Sequence, residues 1–139
     1  MNIRNNQSTV KVIADTGSSG HHINSSTPQL PLSNHPYTLP TVRLPDGNTI
    51  TASHAAMLPL PQELSQAAST AYSFQSIVNP LISIEKLYDD DCVALFTKKH
   101  CFVLKNNHVH LPTIQANAFM MGNRDHDSKL WTFSLKHQP

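Results

Sequence analysis

The sequence predicts a single mostly-β domain, and three observations support this fold class. Apolar residues occur in short runs or in alternation, as in β-strands, and helical periodicity is scarce. Ten prolines and many Ser, Asn and Asp residues separate these runs, which is typical of turns between strands. The length of 139 residues fits one domain, since a domain usually takes about 100–200 residues. We therefore expect residues 1–139 to form one domain with a modest core, with residues 1–8 and 136–139 as candidates for flexible ends.

In the first part of the chain, strands alternate with turn-rich segments. Val10–Ala14 is an apolar run, which predicts a buried strand leading into Asp15. Residues 18–40 are rich in Ser, Thr, Asn, His and Pro, and they predict a loop with at most one short strand. Thr41–Leu44 and Asn48–Ala52 flank an Asp-Gly pair. This pair predicts a hairpin, because both of its central residues can take positive φ.

In the middle of the chain, the pattern is less uniform. Residues 55–60 are expected to end the second hairpin strand, because prolines follow and cannot donate to a sheet. For Glu63–Ala71, helix, strand and loop all stay open, since helix-forming residues lie between a Pro-x-Pro segment and a strand-like one. Ser83–Tyr88 predicts a short helix, with Ser83 as its N-cap and Lys86 near its end.

The last part of the chain predicts strands again. Asp89–Asp91 is expected to be a solvated turn. Four apolar segments follow, the first two of which predict a hairpin around residues 97–100: Cys92–Phe96, Cys101–Leu104, Val109–Leu111 and Leu130–Leu135. The last of them alternates Trp131, Phe133 and Leu135, whose shared face is expected to lie either in the core or in a dimer interface.

Charge and composition exclude several classes of function. The formal net charge is +1 and only 14% of residues are charged, so neither nucleic acid nor an anionic membrane is expected as a partner. No run of about 20 apolar residues is present, and the N-terminus lacks the apolar run of a secretory signal. A cytoplasmic location is therefore expected, with Cys92 and Cys101 as free thiols.

The segment that carries chemistry is Asp15-Thr16-Gly17-Ser18-Ser19, where an apolar strand delivers an aspartate into a tight turn. A carboxylate at the floor of a cleft can share a proton with a second one and activate water as an acid–base pair. Threonine can hold such a loop by hydrogen bonds, and glycine lets the backbone approach where a Cβ would intrude. The tripeptide alone leaves a second interpretation open, in which Asp15 caps the backbone amides of an ordinary turn.

Four ordered blocks decide between these interpretations. They are residues 15–22, Val42–Ile50, Asn79–Leu87 and Met121–Arg124 with Leu130-Trp131. Together they resemble the protease domain of copia-type retrotransposon polyproteins, a branch of the retropepsin family. The first resembles that family's Asp-Ser/Thr-Gly block with a following histidine, the second its hairpin, the third its Asn-Leu-Leu-Ser-Val-x-x-Leu block and the fourth its closing Gly-x-Arg and Leu-Trp. The resemblance implies a retropepsin-like acid-protease fold, with a closed β-barrel-like monomer, a flap hairpin and one short helix.

The resemblance also implies roles for individual residues. Asp15 would be the catalytic aspartate, Thr16 the interlocking hydroxyl at the base of the site and Gly17 the close-approach glycine. Ser18 and Ser19 would help to bind the substrate backbone. The remaining implied residues are the flap, Leu44, Pro45, Asp46, Gly47, Asn48, Thr49 and Ile50, and the candidates for a substrate pocket, Leu81, Ile82 and Ser83.

A single Asp-Thr-Gly predicts a homodimer, because an aspartic dyad needs two carboxylates and a two-fold axis brings identical groups together. We therefore expect a dimeric aspartic endopeptidase that processes its own polyprotein in the cytoplasm, including within virus-like particles. Its substrate is an extended peptide, and no cofactor or metal is expected, since tight Cys and His spacings are absent. The alternative is an inactive protease-like module that dimerises or grips peptides. For His21 and His22, a polar surface pair and an electrostatic role beside the loop both stay open.

Overall fold

The structure, a computed structural model, describes residues 9–32, 38–109 and 113–137. This part of the chain is mostly β, as predicted. Its strands are β1 Thr9–Asp15, β2 His21–Ile23, β3 Thr41–Arg43, β4 Thr49–Thr51, β5 His54–Met57, β6 Thr70–Ser73, β7 Leu81–Ser83, β8 Cys92–Phe96, β9 His100–Lys105, β10 Met120–Arg124 and β11 Trp131–Lys136. Its helices are α1 Gln66–Ser69, α2 Ile84–Tyr88, α3 Ile114–Asn117 and a 3-10 turn at Asn106–His108.

Nine strands form one open sheet in the order β5-β6-β2-β7-β1-β11-β10-β9-β8, and β3 and β4 form a separate hairpin. The expected closed barrel is therefore wrong for the described residues, because no ladder joins the two outer strands, β5 and β8. The expectation of one short helix is also wrong, since three short α-helices are present. None of the described helices has the length and apolar character needed to cross a membrane.

The strand β1 lies near the middle of the sheet, and it is paired on both sides. It runs parallel to β7, where Ile13 lies opposite Leu81 and Asp15 opposite Ser83. It runs antiparallel to β11, from Thr9 opposite Lys136 to Ile13 opposite Thr132. Lys136 is thus held in a strand instead of forming part of a flexible end; residues 1–8, 138 and 139 lie outside the described residues. The paired strands fix the backbone that leads to Asp15.

The core forms where these central strands meet the short helices. Phe133 and Leu135 are buried, and Trp131 is half-buried and packs against the same cluster. The alternating face of β11 therefore belongs mainly to the core, as one of its two interpretations predicted. The other buried apolar side chains of this cluster include Val12, Ile23, Leu58, Ile82, Ile84, Leu87 and Val103.

Both cysteines are free thiols in the core, which confirms the sequence prediction for their redox state. Cys92 lies opposite Lys105 and Cys101 lies opposite Phe96 in the β8–β9 ladder, so the two cysteines are four positions apart along it. Burial raises the pKa of both thiols, and it raises that of Cys101 to about 12. The two cysteines therefore act as small apolar core residues.

The hairpin β3–β4 forms as predicted, although its turn has a different geometry. The Leu44 N–H donates to the Asn48 carbonyl at 2.7 Å, and the Gly47 N–H donates to the Leu44 carbonyl at 2.9 Å. Gly47 has φ +90°, whereas Asp46 is not in the positive-φ region. The loop is thus a type I turn closed by a left-handed glycine, and the expected positive φ at both central residues is wrong.

Pairing with distant strands changes several other local expectations. Strand β5 does not continue β4; it pairs with β6, with Ala56 opposite Ala71. For Glu63–Ala71 the sequence leaves helix, strand and loop open. In the structure this segment contains helix α1, with Ser65 as its N-cap, and the start of β6. Val109 follows the 3-10 turn and lies outside any strand, while residues 110–112 lie outside the described residues.

The predicted solvated turn Asp89–Asp91 is only partly solvated. Asp90 forms an ion pair with Lys105 at 3.1 Å and accepts the Ser65 N–H at 3.0 Å. Burial opposes ionisation of the Asp90 carboxyl, but the hydrogen bonds from Ser65 and the charge of Lys105 outweigh it and lower its pKa. Asp90 therefore joins α1 to the β8–β9 hairpin.

Candidate functional site

Asp15 is the last residue of β1, and its side chain is half-buried where the strand enters a loop. The Gly17 N–H donates to Asp15 Oδ1 at 2.8 Å. This is the turn-capping contact that the second interpretation predicted. Asp15 Oδ2 accepts no hydrogen bond from a described residue. One carboxylate oxygen is thus fixed by the loop, and the other is available to a ligand or a second chain.

An open groove of about 410 Å³ adjoins Asp15. Apart from Asp15 and Thr16, its lining is apolar, and it consists of Ile13, Ala14, Phe96, Leu130 and Trp131. Phe96 and Trp131 pack edge to face with their ring centroids 5.1 Å apart. The groove therefore places a carboxylate beside a surface that suits an apolar side chain.

Trp131 carries an unusual feature within this groove. Its indole N–H is buried and has no hydrogen-bond partner among the described residues. The Arg124 guanidinium lies 5.2 Å from the centroid of the same ring. An unpaired buried N–H costs free energy, so the ring is held in place by its packing and not by a hydrogen bond to a described residue.

Thr16 is exposed, and its hydroxyl makes no hydrogen bond to a described residue. This exposed position suits the contact with a second chain that the resemblance implies. A Cβ on Gly17 would lie 3.5 Å from Asp15 Oδ1, an ordinary contact distance. The expected reason for a glycine at position 17 is therefore not met within one chain.

Ser18 and Ser19 occupy different environments. The Ser18 hydroxyl donates to the Gly20 carbonyl at 2.7 Å, and the Ser18 carbonyl accepts a short hydrogen bond from the Ser83 hydroxyl. Ser18 thus holds the loop together, while Ser19 is exposed. Only Ser19 keeps a side chain free for the substrate role that the sequence predicted.

The three candidates for a substrate pocket support the loop instead of lining the groove. Ile82 and Ser83 are fully buried, and Leu81 is half-buried, so the expected pocket role is not seen for them. Parallel pairing of β7 with β1 buries this segment. Ser83 is the N-cap of α2, accepting the Lys86 N–H at 3.0 Å, as the sequence predicted. Ser83 therefore connects α2 to the loop that follows Asp15.

His21 is fully buried, so the interpretation of His21 and His22 as a polar surface pair is wrong for His21. Its Nε2–H donates to the Ala68 carbonyl at 2.6 Å, and its Nδ1 accepts the Ser83 N–H at 2.9 Å. Burial lowers the pKa of His21 to about 4, with Lys86 and His22 adding to the effect and the Ala68 carbonyl opposing it. The neutral ring therefore links α1, β2 and β7.

A signal for this burial was present in the sequence. His21 and Ile23 are two residues apart in β2, so they share one face of the strand, and both are buried. His22 points the other way and is half-buried, with its ring 5.2 Å from that of Phe74 in an edge-on arrangement. Burial lowers the pKa of His22, and the charge of Asp15 partly opposes this shift. The negative charge of Asp15 thus favours the protonated form of the His22 ring.

The predicted flap, residues 44–50, lies on the exposed hairpin β3–β4. Within its tip, Asp46 Oδ1 accepts the Asn48 N–H at 2.9 Å, and Asn48 donates its side-chain amide to Asp46 Oδ2 at 3.0 Å. No residue of this hairpin is among those that line the Asp15 groove. The structure therefore shows a well-formed hairpin but does not bring it to Asp15.

Within the residues the structure describes, no three His, Cys, Asp or Glu side chains are grouped as metal ligands would be. The chain was compared with protein-family models, with curated proteins and with solved structures, and none of the three comparisons found a match.

Proposed function

We propose that this chain is an aspartic endopeptidase of the retropepsin type, active as a two-fold homodimer in which each copy supplies Asp15. The observation that supports it most is the environment of Asp15. This carboxylate ends a central strand and lies beside an open apolar groove. Its Oδ1 is fixed by the Gly17 N–H, and its Oδ2 has no partner among the described residues. A catalytic carboxylate needs this combination of a fixed position and a free oxygen.

The chemistry follows from pairing two such carboxylates. With Asp15 and the partner's Asp15 close together, one stays protonated, because two adjacent negative charges repel. The ionised one accepts a proton from a water molecule, which attacks the peptide carbonyl carbon. The protonated one donates its proton to the carbonyl oxygen, which gives a tetrahedral diol. As the C–N bond breaks, the first carboxyl group passes the proton it took from water to the leaving amine, and a hydroxyl of the diol returns a proton to the second carboxylate. The Thr16 hydroxyl beside Asp15 is exposed, which suits it to a contact across the two-fold axis.

The groove supports a preference for apolar residues beside the scissile bond. Its volume of about 410 Å³ accommodates one large side chain against Phe96 and Trp131. The substrate would be an extended peptide, and the family resemblance assigns it to the polyprotein that carries this domain. No cofactor takes part in the proposed reaction.

The test is cleavage of a peptide library between pH 4 and 7, with and without a transition-state-mimicking aspartic protease inhibitor. We expect inhibitable cleavage with a bell-shaped pH dependence. Asp15→Asn should lower the rate by at least about 10²-fold, since general acid–base catalysis contributes that much or more. Asp127→Asn is the matched control, because its side chain is 98% exposed and lies outside the groove, and it should cleave like the wild type.

A second candidate is a protease-like module that dimerises or binds peptides without cleaving them. The bond from Gly17 to Asp15 favours it, since the same contact is found in ordinary capped turns. A sample shown to be dimeric by sedimentation that has no inhibitable cleavage, or one in which Asp15→Asn cleaves normally, would overturn the proposed enzyme in favour of this module or another function of the fold.

A further inference from the structure

Strand β8 forms one outer edge of the nine-stranded sheet, and the direction of its backbone groups can be derived from its ladder with β9. The Thr97 N–H donates to the His100 carbonyl and the Asn106 N–H donates to the Asp91 carbonyl, both at 2.8 Å. Hydrogen-bonded and non-hydrogen-bonded pairs alternate along an antiparallel ladder. Between these two bonds, the residues whose backbone N–H and carbonyl groups point away from β9 are therefore Cys92, Ala94 and Phe96.

This edge lacks the usual protection against pairing with another strand. Its sequence, Cys-Val-Ala-Leu-Phe, contains no charge, proline or glycine. No described residue bonds to the outward backbone groups of β8. At the opposite edge of the sheet, by contrast, Met57 of β5 exchanges two hydrogen bonds with Leu30, and two prolines follow that strand. An edge such as β8 is a template for another strand.

The charges at the two ends of β8 identify the strand that fits it. Asp89–Asp91 precedes the strand, and Lys98-Lys99 follows it. An antiparallel copy of β8 would bring each acidic turn beside the basic turn of the other copy. A parallel copy would bring like charges together, which disfavours pairing.

We propose that β8 pairs with β8 of a second copy of this chain, antiparallel and centred on Ala94. In this register, Ala94 lies opposite the partner's Ala94, and Cys92 lies opposite the partner's Phe96. Each of the three residues with outward backbone groups then lies opposite such a residue of the other copy. Every outward N–H and carbonyl of these residues is therefore hydrogen-bonded to the other copy. The same register brings the turn with Lys98-Lys99 of each copy to the end of β8 at which the Asp89–Asp91 turn of the other copy lies. A shift by two residues would leave one pair of backbone groups unmet.

This interface is separate from the proposed pairing of Asp15, and it does not depend on catalysis. Of the three outward residues only Phe96 also lines the Asp15 groove. Edge pairing would thus join the nine-stranded sheets of two copies into one continuous sheet, whether or not the chain cleaves peptides.

The first test is a charge exchange followed by sedimentation velocity over a range of concentrations. Lys99→Glu and Asp89→Lys should each weaken self-association by about tenfold or more, because each places like charges together twice across the two-fold axis. The double variant Lys99→Glu with Asp89→Lys should restore it. Asp127→Lys, which changes an exposed charge far from β8 in sequence, is the control and should associate like the wild type. A double variant as weak as the single ones would overturn the proposal.

The second test reports on β8 itself, so that association through Asp15 is not mistaken for it. Amide hydrogen exchange measured by NMR should show Ala94 and Phe96 protected at high concentration and unprotected on dilution. In Lys99→Glu the same two amides should exchange rapidly at the concentration that protects them in the wild type. Fast exchange of both amides in an associated wild-type sample would overturn the proposal, and that outcome leaves the cleavage experiment with Asp15→Asn unaffected.

Discussion

Acidification should destabilise the fold through His21, because the folded chain holds this ring neutral. The ring accepts the Ser83 N–H at Nδ1 and donates from Nε2, so a proton added at Nδ1 would remove the Ser83 bond. The groups that face the ring are Ser83, the Ala68 carbonyl, the Lys86 ammonium and His22. Of these, only the carbonyl favours a protonated ring.

The size of the effect follows from the pKa of His21, which lies at about 4 in the fold, whereas an exposed histidine has a pKa of 6.5. Above pH 6.5 the ring is neutral in both the folded and the unfolded chain, and its contribution to stability is fully present. Between pH 6.5 and 4 the unfolded chain binds a proton that the folded chain does not, so stability falls as the pH falls. At about 1.36 kcal/mol per pKa unit, the total loss is about 3 kcal/mol.

The assay is urea unfolding of the wild type and of His21→Asn at several pH values from 7.5 to 4. The variant loses hydrogen bonds and should be less stable than the wild type at pH 7.5. This difference should shrink by about 3 kcal/mol as the pH falls to 4, because only the wild type has the His21 linkage. His126→Asn is the control, since that side chain is 95% exposed, and its difference from the wild type should stay constant. A constant difference for His21→Asn as well would refute the reasoning.

Three further predictions concern core packing, helix capping and the burial of the two thiols. Gly122→Ala should lower the free energy of unfolding by about 1–3 kcal/mol, because a Cβ at this position would lie 2.7 Å from the Thr132 carbonyl oxygen; an unchanged urea midpoint would contradict this. Ser83→Ala should cost about 1–2 kcal/mol through loss of the α2 cap, and Ser83→Thr, which keeps the hydroxyl, should retain part of it in the same assay. Cys92 and Cys101 should not react with a thiol reagent in the native state and should react fully in urea, because both are buried and burial raises their pKa values; rapid native labelling would argue against their positions.

Local patterns were sufficient to predict the elements whose signal lies within one segment. The apolar runs of β1, β8 and β9, the alternation of β11 and the Ser83 cap of α2 all follow from neighbouring residues. Strands β7 and β10 were not recognised as strands. β7 has only three residues, and β10 contains Gly122 and the polar pair Asn123-Arg124, so pairing with neighbouring strands determines both.

In the candidate site, too, some features follow from neighbouring residues and others depend on pairing between distant strands. Asp15 at the end of an apolar strand could be predicted from the sequence around it. The groove could not, because Phe96 and Trp131 lie more than 80 residues away in the chain and reach Asp15 only through the order of the strands. The burial of Ile82 and Ser83 has the same cause, since it depends on parallel pairing with β1.

The pairing of β1 with β11 has a consequence for biosynthesis. During translation β1 emerges before the other described strands, but its antiparallel neighbour is the last of them. Until Trp131–Lys136 leaves the ribosome, one side of β1 is open, and Trp131 is missing from the groove beside Asp15. A contact that spans so much sequence also forms slowly, since closing a long loop is costly in entropy. The chain is therefore unable to assemble the proposed catalytic groove on a partly synthesised precursor, which delays any cleavage until this domain is complete.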